Sequence, residues 1–101
     1  MELKEKLIGQ LDKQILAYIG KNTDTMDRFM YRLEVYSSFR NELDKNEYLI
    51  PQLNAMLNCN DLLVAIRTSV LRNTNGVVDP SYDELVSNFV TELYLEQRTK
   101  E

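Results

Sequence analysis

A chain of 101 residues with 44% hydrophobic content can bury one core without disulfide or metal staples and is too short to divide into two, so one domain spanning 1–101 is expected. Sixteen acidic residues against twelve basic ones leave a net charge of -4, which disfavours nucleic acid or an anionic membrane surface as the main partner. The sequence contains no histidine, which removes the commonest general base, every Ser-His triad and all His-containing zinc sites.

Leu3, Leu7, Leu11, Ile15 and Ile19 recur every four residues, with Ile8 and Tyr18 beside them. That spacing predicts an amphipathic helix from about residue 2 to a stop at Gly20. The start mixes both signs of charge and lacks an apolar leader run, and no stretch approaches the roughly 18 apolar residues of a membrane span. In KNTDT, Thr23, Asp24 or Thr25 can cap a second helix, and Asp27 suits the positive end of its dipole. Met26, Phe29, Met30, Leu33 and Tyr36 then form the expected stripe of a helix reaching about residue 44.

DKNEYLIP is polar and then extended, and Pro51 suits the opening of a third helix. Leu53, Met56, Leu57, Leu63, Ile66 and Val70 lie on one broad face of it, yet Asn60 and Arg67 fall within that face too. One account breaks or bends the helix at residues 58–61, with Asn58 or Asn60 capping a second piece. The other keeps the helix straight and lets Arg67 snorkel or meet an acidic partner. We favour the break.

RNTNGVVDPSYDE, residues 72–84, superficially resembles a calcium loop. With Gly76 at loop position 6, however, Leu71 takes position 1 and Tyr82 position 12, so both essential acids are missing. The same letters read better as a helix stop at Gly76, an Asp79–Pro80 start, and a capping box of Ser81 and Glu84. The last helix then carries Tyr82, Leu85, Val86, Phe89, Val90 and Leu93 on one face. With no strand pattern and short connections, the expected fold is all-α, an antiparallel four-helix bundle.

The lone thiol, Cys59, has no histidine partner and sits among apolar neighbours, which suits a buried thiol in a reducing compartment. The three glycines are isolated, so they build no phosphate-cradling loop. Capping explains the acidic pairs Asp83 with Glu84 and Asp24 with Asp27. No enzyme, catalytic residue, cofactor or metal is therefore expected. A nucleic-acid reading would rest on Arg67 and Arg72 within DLLVAIRTSVLRN, where core packing explains the residues better. For a protein partner, Tyr31 and Val35 point away from the stripe of the second helix, as Tyr94 and Leu95 partly do on the last. Such surplus apolar groups mark an interface, a homodimer included, or a second layer of core.

Pro51 and Leu53 opening a helix, aliphatics to Ile66 and Leu71, and then NGVVDPSYDELVSNFVTEL with its Leu85, Phe89 and Leu93 stripe together resemble the immunity proteins of pediocin-like bacteriocins in lactic acid bacteria, over about 45 residues. The resemblance implies a cytoplasmic helical bundle that binds without chemistry. Its partner would be a membrane receptor, the sugar transporter that the bacteriocin occupies, met from the cytosolic side. It further implies that specificity lies in the C-terminal half, which places Arg72, Asn75, Val77, Tyr94 and Leu95 on or near the working surface. Only a short tail follows Leu95, where many relatives carry a longer one. The competing expectation is a small regulatory or adaptor protein, of phage origin in one version, that inhibits or bridges a protein partner.

Overall fold

The computed structural model describes residues 2–74 and 81–99. The expected stop at Gly76, the Asp79–Pro80 start, and the candidate residues Asn75 and Val77 lie outside them. Five helices occupy the described residues: α1 (Glu2–Lys21), α2 (Met26–Lys45), α3 (Ile50–Leu57), α4 (Leu62–Thr74) and α5 (Tyr82–Thr99). There is no strand among them.

Five helices stand where four were expected because the third is divided at residues 58–61. The Asn58 N–H donates to the Asn54 carbonyl and the Cys59 N–H to that of Met56, which closes α3. The residue that caps α4 is neither Asn58 nor Asn60 but Asp61, whose Oδ1 accepts from the Val64 N–H at 3.1 Å. The two preceding amides, Leu62 and Leu63, donate to Oε1 of Gln14 on α1, at 3.0 and 3.4 Å. A side chain 48 positions away thus completes the cap, and helix-terminal donors that would otherwise lack partners are satisfied. The break leaves Asn60 exposed and Arg67 half-buried, which resolves the conflict in the apolar face.

In α1, Leu7, Ile8 and Leu11 are buried, and Leu3, Ile15 and Tyr18 pack partly against the core. Ile19 is 42% exposed, contrary to expectation. A strict four-residue spacing drifts by about 40° per step around a helix of 3.6 residues per turn, so the end of such a stripe leaves the face on which its middle lies. Tyr18 turns inward instead, stacking on Phe29 at 5.6 Å and meeting Tyr36 edge-on at 5.3 Å. Gly20 stays helical, and the Asn22 side chain closes the end by donating to the Ile19 carbonyl.

The second helix departs most from its expected stripe. It buries Val35, Tyr36, Phe39 and Leu43, while Met26 and Met30 are 72% and 57% exposed. Val35, expected to point outward, is only 6% exposed. The cause is that α2 packs against α1, α4 and α5, so its buried arc extends to the Val35 side of Tyr36. At ~100° per residue, Met30 falls about 120° from Tyr36 on the opposite flank. Thr25 is the N-cap, with Oγ1 accepting from the Arg28 N–H.

All the stripe residues of α5 point inward as expected: Leu85, Val86, Phe89, Val90 and Leu93 are buried and Tyr82 is half-buried. Ser81 Oγ accepts from the Glu84 N–H, supplying half of the capping box. Phe39 meets Phe89 and Tyr82 edge-on, at 5.7 and 6.2 Å, and joins α2 to α5. Polar clamps tie the remaining helices. Arg40 forks onto Asp12 at 2.9 and 3.3 Å between α2 and α1, and the Gln97 amide donates to the Ala55 carbonyl at 2.7 Å between α5 and α3. Cys59 is half-buried against the core, and burial pushes its thiol pKa up, away from the reactive thiolate.

Candidate functional site

Of the surface residues singled out from the sequence, the structure brings two together. Tyr31, 59% exposed, and Val35 line one cavity of about 180 Å³ between α2 and α4. Val35, Tyr36 and Val70 are buried and form its floor. Tyr31 from α2 and Leu71 from α4, the latter 68% exposed, stand as its apolar walls. At ~100° per residue Leu71 lies about 140° from Ile66, well off the buried arc of α4.

The remaining lining groups are the arginines Arg28, Arg32 and Arg67, and no carboxylate is among them. Arg32 is neutralised by Asp24 at 3.0 Å. Neither Arg28 nor Arg67 makes an ion pair among the described residues. In a chain of net charge -4, this groove is a local reversal of sign over an apolar floor. The Asp24 carboxyl that holds Arg32 is itself fixed by the Tyr18 hydroxyl at 2.7 Å. That hydrogen bond, joined by the Arg32 guanidinium, holds Asp24 below the usual carboxylate range.

Sequence reasoning did not find Arg28, Arg32, Val70 or Leu71 as members of a site. The signal was present in helical geometry, since Arg28, Tyr31 and Val35 share one flank of α2, and Arg67 and Leu71 share one flank of α4. Pairing those flanks required knowing that α2 and α4 are neighbours.

The other candidates lie elsewhere. Arg72 is exposed, but Glu92 on α5 binds it at 2.7 Å. Glu92 also accepts from Ser69 Oγ and Asn73 Nδ2, both at 3.0 Å, so Arg72 belongs to a clamp between α4 and α5. Tyr94 is half-buried beside a polar recess that includes Asn54 and Asn58, and Leu95 is exposed on α5. Among the described residues, no group of three or more His, Cys, Asp or Glu side chains is placed to hold a metal. No described helix is long and apolar enough to cross a membrane.

The clamp at Glu92 makes stability depend on pH. Burial raises its pKa, but donation from Asn73, Arg72 and Ser69 outweighs this and leaves it lowered. A depressed folded-state value means that the stabilisation is complete above the ordinary carboxylate range, about 4–4.5, and is lost as pH falls through the lower folded value. Urea unfolding followed from neutral to acid pH should therefore show stability falling across that window. Glu92→Gln should flatten the slope, and an unchanged slope would mean that the clamp does not form in solution.

The chain matches no family model, no curated protein and no solved structure.

Proposed function

We propose that the chain is a non-catalytic protein-binding module, and that its role is that of an immunity protein against a pediocin-like bacteriocin. In this reading the helices pack as an antiparallel bundle, with α3 and α4 together taking the place of one bent helix. The observation that carries the binding reading is the α2–α4 groove, in which a buried apolar floor lies beside Arg28 and Arg67, neither of which makes an ion pair among the described residues. Its volume of about 180 Å³ is below the roughly 300 Å³ at which small-molecule sites begin. It suits the anchoring side chain of a macromolecule.

The immunity assignment rests on the resemblance that runs from Pro51 to Leu93 and carries a cytoplasmic location with it. A second reading, a small adaptor or inhibitor of another protein, is favoured by the position of the groove on α2 and α4. The resemblance instead places specificity around the α4–α5 connection and the exposed side of α5. Expression in a bacteriocin-sensitive strain separates the two. Immunity predicts protection against at least one pediocin-like peptide, and full sensitivity across a panel of them would reject immunity in favour of the adaptor.

A further inference from the structure

We propose that the α2–α4 groove receives an acidic segment of a partner protein, with one bulky apolar side chain seated over Val35 and Val70 and flanking carboxylates meeting Arg28 and Arg67. The inference rests on the reading of the chain as a protein-binding module and is independent of the immunity assignment. Three observations select this occupant.

The first is size. A cavity of about 180 Å³ with a buried apolar floor has room for one large side chain and not for a drug-sized ligand. Interface anchors are single residues of this kind, seated in desolvated pockets. The second is charge. Covering the groove with an uncharged surface would strip water from Arg28 and Arg67 without giving them an acceptor. A basic segment would meet Arg28 and Arg67 beside the already paired Arg32, with no carboxylate in the lining to receive it. A carboxylate on either side of the anchor answers both, because guanidinium binds it in a two-point fork.

The third is the arrangement of the cations around a hole. Nucleic-acid backbones are tracked by rows of cations on a surface of positive field. Here three arginines from two helices line an apolar cavity, on a chain whose net charge is -4. The groove therefore discriminates against a phosphate polymer while accepting an isolated carboxylate beside an apolar group.

The test is a titration of the isotopically labelled full chain, read by amide chemical shifts. The probe is a synthetic peptide in which one phenylalanine is flanked on both sides by glutamates. One control peptide carries lysines in place of the glutamates, and another carries serine in place of the phenylalanine. The acidic peptide should shift amides around Arg28–Tyr36 and Arg67–Leu71, and each control should bind about tenfold more weakly or worse. The double variant R28E/R67E should reverse the preference toward the lysine peptide, a gain that a misfolded protein would not show. R28Q/R67Q should weaken acidic binding without reversing it.

Absence of shifts with the acidic peptide, shifts centred away from α2 and α4, or equal binding of the lysine control would overturn the proposal. So would preferential binding of a DNA duplex at these residues. Concentration-dependent shifts at the groove without any peptide would overturn it in favour of a second copy of the chain. The titration needs neither bacteriocin nor cells, so its failure is separable from failure of the protection assay.

Discussion

Phe39→Ala will cost about 3–5 kcal/mol, the range for removing a large aromatic side chain from a packed core. A domain of this size has roughly 5–15 kcal/mol of stability in all, so the variant should be near the edge of folding. The ring is fully buried and meets Phe89 and Tyr82 edge-on, contacts worth about 0.5–1.5 kcal/mol each beyond the buried area. Its loss therefore leaves a void and loosens α2 from α5 at once. The check is urea unfolding, where the midpoint should fall sharply while the slope, which reports exposed area, stays near that of the wild type. Phe39→Leu should recover much of the loss by refilling the space. A cost for Phe39→Ala below about 1 kcal/mol would place the ring outside the tightly packed core.

The second large effect is expected at a polar residue. Gln14→Ala should destabilise the fold by about 1–3 kcal/mol, because the Leu62 and Leu63 amides lose their acceptor in a part-buried setting. The side chain it removes is itself only half-buried, so a cost of that size would not come from lost packing. Gln14→Glu keeps an acceptor oxygen and places a negative charge at the positive end of α4. It should therefore retain most of the stability at neutral pH. Hydrogen exchange gives a local readout: the Leu62 and Leu63 amides should exchange faster in Gln14→Ala while those of α5 change less. Equal acceleration throughout would make Gln14 a general packing residue.

The same residue shows where sequence reasoning reached its limit. The break of the third helix could be inferred because Asn60 and Arg67 would otherwise have shared a face with Leu63 and Ile66. The part of its cap that Gln14 supplies could not, because Gln14 is brought to Leu62 only by the packing of α1 beside α4. Helices α1 and α5 show their inner faces as simple stripes, with the loss of register at Ile19 following from the difference between a spacing of four and a turn of 3.6. Helix α2 misled because its buried arc, Val35, Phe39, Leu43 and Tyr36, is rotated to the Val35 side of the expected stripe, which draws Val35 inward and leaves Met26 and Met30 outside. As for the groove, Tyr31 lies on the flank of α2 that lines it. Of the two alternatives open for Val35, an interface group or a second layer of core, its burial fits the second, and it forms the floor of the groove. Arg72, Tyr94 and Leu95 do not join it, and Arg72 in particular is held in place by Glu92 across the α4–α5 contact.

The claim that the chain works by presenting the α2–α4 groove to another protein is tested most directly by site-specific photocrosslinking in cells. A photoreactive phenylalanine analogue would replace Tyr31 at the groove wall or, as a control, Lys13 on the exposed side of α1. A discrete protein adduct is expected from position 31 that is absent from position 13 and disappears when Arg28 and Arg67 are reversed in charge. Identical adducts from both positions, or an adduct at position 31 that survives the charge reversal, would contradict it.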